Sequence, residues 1–142
     1  MGRSRGGLTT KIHARVDAKG RPLCLLISPG EVRDVSCAEA LLQGLEQRAV
    51  IIADKGYDAD RVRSYIRAQG AIPNIPNRSN RKKKYRWKKV LYRERNHVER
   101  FFNKLKQFRR IATRYDKLGA TFFAFIKIAA MRIWLRSIES TA

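Results

Sequence analysis

The chain has 142 residues and a mass of 16.4 kDa, with 32 lysines and arginines against 12 acidic residues, a formal charge of +20 and a sequence pI of about 11.0. That length supports one domain with a real core and needs no disulfide or metal staple. A 44% hydrophobic fraction excludes a disordered basic tail, and so lopsided a charge calls for a polyanionic partner, of which nucleic acid is the commonest.

At the N-terminus, Met1 to Gly7 carries charge but lacks the apolar stretch of a secretory signal. The longest apolar segment, Ala120 to Leu135, falls short of the ~20 residues of a membrane span and is interrupted by Lys127 and Arg132, so it reads as a buried helix. Cys24 and Cys37 lack the spacing of a zinc site. These features predict a reduced cytoplasmic, nucleoid-associated protein with no membrane partner.

Leu8 to Val16 and Pro22 to Ile27 flank the turn Asp17-Ala18-Lys19-Gly20 and predict a hairpin over 8–27. After Pro29-Gly30, Asp34 caps a predicted helix through Leu45. Ala49-Val50-Ile51-Ile52-Ala53 is a continuous apolar run, predicting a strand over 49–54 that is buried on both faces and ends in Asp54. Lys55-Gly56-Tyr57 turns the chain, Asp58 caps a helix through Gln69, Gly70 closes it, and Ala71 to Ile75 forms another strand. A basic loop over 77–89 sets Tyr85 and Trp87 among lysines and arginines. Two long helices follow, over 89–113 and 120–137, and no internal repeat or domain boundary interrupts residues 1–142.

Asp54 stands where open α/β sheets place their sites, outside the carboxyl end of a strand, although an aspartate there commonly just bonds its own turn. On the helix over 89–113, Val98, Phe101, Phe102, Leu105 and Phe108 form an apolar face. Tyr92, Arg95, Glu99 and Lys106 fall on a second stripe, since their steps of three, four and seven residues return to one side of a helix. An ordinary solvated flank explains that stripe too, with an Arg95–Glu99 ion pair worth ~0.3–0.5 kcal/mol.

The basic loop offers phosphate contacts through Arg78, Arg81, Lys82, Lys83, Lys84, Arg86, Lys88 and Lys89, joined by Arg109 and Arg110 further on. Tyr85 or Trp87 can stack on exposed bases. His13 and His97 suit structural roles. Phe122, Phe123, Phe125 and Trp134 suit core or oligomer contacts.

Two segments together carry a family resemblance: Ala53-Asp54-Lys55-Gly56-Tyr57-Asp58, and Tyr92-x2-Arg95-x3-Glu99-x6-Lys106. With Gly2 to Lys11, Arg95 to Phe102 and Arg109 to Lys117, they make the chain resemble the DDE transposases of bacterial insertion sequences, in the ribonuclease H-like, retroviral-integrase superfamily. The resemblance implies an α/β fold: a ribonuclease H-like mixed sheet with flanking helices, incomplete for want of its first strand, with two long C-terminal helices. It implies that Asp54 and Glu99 are metal ligands for Mg²⁺ or Mn²⁺ in a complete site. Arg95 and Lys106 would lie near DNA phosphates or the metal, with Tyr92 in support. Implied partners are DNA, at element ends and target, and full-length transposase or a second copy of the chain.

The resemblance also implies a third carboxylate, on a strand before the hairpin, and neither Asp17 nor Asp34 matches it. The expectation is therefore that Met1 lies within a longer reading frame and that this chain alone is inactive, metal-dependent DNA cleavage and strand transfer belonging to the complete transposase. The competing expectation is a catalytically inactive DNA-binding remnant or inhibitor of the full-length transposase. A basic ribosome-type RNA-binding protein would explain the charge but not the Tyr-Arg-Glu-Lys spacing.

Overall fold

The computed structural model describes residues 3–4, 7–8, 10–108 and 119–141. It is a mixed α/β structure that divides into two compact units: residues 1–13 with 28–95, and residues 14–27 with 96–142.

In the first unit, β1 (Arg3–Ser4) and β2 (Gly7–Leu8) pair antiparallel. The hairpin of β3 (Thr10–Val16) and β4 (Pro22–Pro29) starts and ends in this unit, while its tip groups with the other. At its base the buried His13 shares a 2.7 Å hydrogen bond between Nε2 and Ser28 Oγ, and burial pushes its imidazole below the ordinary histidine range. That is a structural role, as expected for this histidine.

The helix expected from Asp34 to Leu45 is a 3-10 turn, Asp34–Cys37, followed by the single turn α1 (Ala38–Leu41). The chain leaves the helix at Leu42, where Gln69 takes over the backbone bonding: its Nε2 donates to Leu42 O and its Oε1 accepts from Leu45 N–H. β5 (Val50–Ile52) pairs parallel with β6 (Ile72–Asn74), in the register Val50 to Ile72 and Ile52 to Asn74. Between them α2 (Asp60–Ala68) ends at Gly70, whose φ of +81° gives the left-handed residue that closes the helix. The core beneath comprises Ala38, Leu42, Val62, Ile66, Ala71 and Ile75.

Two expectations change here. β5 is not buried on both faces: Val50 is 41% exposed and its partner Ile72 52%, because among the described residues the parallel pair has no third strand. Asp58 does not cap α2, whose N-cap is Ala59 without a side-chain bond. Its carboxylate turns inward to arginines instead.

The chain then forms α3 (Lys89–Tyr92), a 3-10 turn (Arg93–Arg95) and, in the second unit, α4 (Asn96–Lys106). The expected continuous helix is thus broken at Arg93-Glu94-Arg95, a run with no apolar residue to bury, where the tighter 3-10 winding takes over. Residues 107–108 leave the helix, with Phe108 half-buried and its N–H bonded to Leu105 O, and residues 109–113 lie outside the described residues.

In the second unit, Phe101 and Leu105 of α4 and Phe122, Ile126, Ala129, Ala130 and Ile133 of α5 (Gly119–Thr141) are buried. At the hairpin tip, Asp17 Oδ1 accepts from the Lys19 and Arg21 N–H groups and its Oδ2 from Arg21 Nε. Trp134 Nε1 donates to Pro22 O at 2.7 Å, with Arg21 4.6 Å over its ring. Trp134 therefore serves packing, as the aromatic cluster suggested. α5 is buried on one face only, since Ile128, Met131, Leu135 and Ile138 are each more than half exposed.

Candidate active-site turn and basic platform

The turn after β5 is organised by Asp54. Its backbone is extended (φ −77°, ψ 171°), its Oδ1 accepts from Gly56 N–H at 2.8 Å, and the residues Lys55–Tyr57 wind into a 3-10 turn. Its Oδ2 lies 3.4 Å from Arg95 Nη2. Arg95 in turn sits 5.9 Å over the Tyr92 ring, which packs edge-on against Trp87 at 5.6 Å. Three of the residues singled out in the sequence, Asp54, Arg95 and Tyr92, are thus neighbours across 41 positions of chain. Glu99 and Lys106 belong to the second unit, seven residues apart on α4, where both are exposed on one side of the helix.

Asp34, which does not match the third carboxylate that the resemblance implies, comes close to this turn. A Cβ on Gly56 would lie 2.8 Å from Asp54 Oδ1 and 3.6 Å from Asp34 Oδ2, so glycine leaves room for both carboxylates on one side. Lys11 holds Asp34 at 3.1 Å while also donating to Val32 O. The hydroxyl of Tyr57 is raised above the ordinary tyrosine range by burial first and by Asp34 and Asp54 next. Only long-range folding could reveal this, because Lys11, Asp34 and Asp54 share no local motif.

The segment after β6 is not a loose loop. Asn74 bonds the Lys88 backbone at two points, Nδ2 to Lys88 O and Lys88 N–H to Oδ1. Asn77 does the same to Tyr85, at 2.8 Å each way. These side-chain amides bond the backbone of the segment at both its N–H and its C=O, as a neighbouring strand would. Tyr85 is ringed by cations, with Arg63, Arg81, Arg67 and Lys83 within 4.4–5.5 Å of its centroid.

Beneath them Asp58, with a side chain 0% exposed, accepts from Arg63 Nε on Oδ1 and from Arg81 Nε and the Arg78 N–H on Oδ2. Burial pushes this carboxyl up, but the bonds from Arg81, the Arg78 N–H and Arg63 together outweigh burial and hold it below the ordinary carboxylate range. In the sequence Asp58 reads as a helix cap, and nothing there singles out Arg63.

Of the cations proposed for DNA contact, Lys82, Lys83, Lys84, Arg86, Lys88 and Lys89 are exposed. Arg78 and Arg81 are partly buried and bonded internally, while Arg109 and Arg110 lie outside the described residues. Beside the platform, Trp87, Tyr85, Leu91, Val50, Ile72 and Pro73 line an open cleft of about 550 Å³, with Arg86 and Lys88 also in its wall.

Residues 2–134 match the family described as the transposase DDE domain. The chain belongs to that family. It is 44% identical over 133 residues to a Brucella ovis protein described as "Putative transposase for insertion sequence element IS6501", covering 91% of this chain and 100% of that protein. It is 30% identical to the "Putative transposase for insertion sequence element IS402" of Burkholderia cepacia, over 92% of this chain and 64% of the relative. It is also 30% identical to the "Transposase for insertion sequence element IS1106" of Neisseria meningitidis serogroup B, over 84% of this chain and 41% of the relative. The chain therefore spans all of the first relative and less than two thirds of the other two. No solved structure matches it.

DDE transposases use divalent metal ions and act on DNA. The donor chemistry of the Asp54 turn, hard carboxylate oxygens, suits such an ion. Among the described residues, no three histidine, cysteine or acidic side chains are grouped to hold one. No helix among them is long and apolar enough to cross a membrane.

Proposed function

We propose that the chain is the DNA-cutting part of an insertion-sequence transposase, with Asp54 and Glu99 as carboxylate ligands for Mg²⁺ or Mn²⁺ and the platform over 77–89 as its DNA contact. The observation that carries this reading is the approach of Arg95 to Asp54, which brings the first half of the Tyr-Arg-Glu-Lys motif to the turn that carries the aspartate. The polypeptide path, a hairpin, a strand ending in aspartate and a later helix bearing glutamate, suits a ribonuclease H-like fold.

Two bound ions would activate the attacking oxygen and stabilise the leaving one at a phosphodiester. The chain's own residues do the rest. Gly56 N–H and Arg95 fix the two oxygens of Asp54 in direction, which a carboxylate ligand needs. The exposed lysines and arginines attract the phosphate backbone. Because the face of Tyr85 is taken by guanidinium groups, Trp87 in the cleft is the side chain placed to receive an unstacked base.

The test is binding to duplex DNA bearing the element ends, with and without Mn²⁺. The metal should tighten binding, and Asp54→Ala and Glu99→Ala should each remove that increment while leaving salt-sensitive binding in place. Binding indifferent to Mn²⁺ and to both substitutions would instead support a non-catalytic DNA-binding protein.

A further inference from the structure

Arg78 and Arg81 look in the sequence like two more phosphate contacts, but their bonds in the structure run inward. Arg78 donates from Nε to Lys55 O at 3.0 Å and from Nη2 to Gly56 O at 3.0 Å, and its N–H donates to Asp58 Oδ2 at 2.7 Å. Lys55 O and Gly56 N–H belong to one peptide group. That group is therefore gripped at its oxygen by Arg78 and at its N–H by Asp54 Oδ1. Arg81 spans Asp58 and Asp60 at 2.8 and 2.7 Å, with a side chain only 13% exposed.

An arginine saturated by two carboxylates has little charge left to displace counterions from DNA. One that donates to two carbonyls has its guanidinium held in direction by them, so it is not free to swing toward a phosphate.

We propose that Arg78 and Arg81 are positioning residues that latch the basic platform to the Asp54 turn through Asp58, so that the charge facing DNA comes from Lys82, Lys83, Arg86, Lys88 and Lys89, while Lys84 donates inward to Arg78 O and Ser79 O. The assignment of the platform to DNA rests on the proposed function; the latch itself does not. Through the shared peptide group, a shift of the platform is felt at the direction of the Asp54 carboxylate. Hydrogen bonds arranged in such a chain polarise and support one another.

The experiment compares full-length Arg78→Lys, Arg78→Gln, Arg81→Gln, Lys82→Gln and Lys83→Gln with wild type, read by three measurements. The first is the slope of log affinity for duplex DNA against log salt. Lys82→Gln and Lys83→Gln should each lower its magnitude by up to about 0.9, while the arginine variants keep the wild-type slope. The second is tryptic cleavage after Lys82, Lys83 and Lys84, which the arginine variants should accelerate by about tenfold or more as local opening becomes easier. The third is the Mn²⁺-dependent gain in DNA affinity that depends on Asp54, which Arg78→Lys should reduce although the charge is kept.

A structural role confined to the platform would leave that gain unchanged, and a phosphate contact would leave cleavage unchanged while lowering the slope in Arg78→Gln. Either result overturns the proposal. A wild-type slope near zero would refute the DNA-binding reading, and cleavage would still decide the latch. Should Arg78→Gln not fold, Arg78→Lys, which keeps the charge but replaces the fork of the guanidinium with a single ammonium, carries the comparison through cleavage and the Mn²⁺-dependent gain, and Arg81→Gln carries the slope.

Discussion

Asp58→Asn is the substitution that most directly tests the internal charge network. Asp58 Oδ2 accepts from two donors, Arg81 Nε and the Arg78 N–H, and Oδ1 accepts from Arg63, whose side chain is 1% exposed. An asparagine must place its NH₂ against one of these sets, so donors face donors whichever way it turns. It also leaves the Arg63 charge buried without a counterion. Breaking a buried pair in this way costs about 3–5 kcal/mol, a large part of the roughly 5–15 kcal/mol that holds an ordinary domain together.

The pH dependence has a definite sign. Because the folded carboxyl is held below its ordinary range, its contribution is present above the unfolded value, about 3.9 for aspartate, and is lost as pH falls through the lower folded value. The difference between wild type and Asp58→Asn, measured by urea denaturation at unchanged m value, should therefore be full at neutral pH and shrink in strong acid. A loss under 1 kcal/mol at neutral pH, or a gap that widens on acidification, would refute this account of Asp58.

Gly56→Ala should cost little stability, within about 1 kcal/mol, because the new methyl meets a side-chain oxygen that can swing away. It should nonetheless abolish the Asp54-dependent effect of Mn²⁺ on DNA binding; an unchanged metal response with normal melting counts against the carboxylate geometry. Phe101→Ala empties a 0% exposed site on α4 and should cost about 3–5 kcal/mol by chemical denaturation, whereas a loss below 1 kcal/mol would mean α4 does not pack as described. Trp87→Ala should weaken binding to single-stranded oligonucleotides by about 1–3 kcal/mol, with Trp87→Phe recovering much of it. Equal binding by all three proteins would remove the base-stacking role.

The parts legible in the sequence were those written in local pattern. Gly70 ending α2, the turn at Asp17 to Gly20 and the strand leading to Asp54 follow from neighbouring residues. The Tyr-Arg-Glu-Lys spacing, which pointed to the family, is local as well. What was missed depends on partners far along the chain. Asp58 resembles a helix cap until Arg63 and Arg81 are seen to claim it, and Asp34 gains interest only through Gly56. The apolar run at 49–53 reads as doubly buried because hydropathy cannot show that β5 has one partner and an open face. Likewise, Arg78 and Lys82 are chemically alike in sequence, and only the carbonyls near Arg78 separate them.

The paired amides of Asn74 and Asn77 have a thermodynamic consequence for whatever the platform meets. A peptide so rich in like charges would ordinarily be dispersed over many conformations, and each residue fixed on binding would cost about 1–2 kcal/mol of backbone entropy. Here Lys88 and Tyr85 are already tied at both backbone atoms, so that ordering cost has been met during folding. Two neutral side chains can thus raise affinity without touching the ligand.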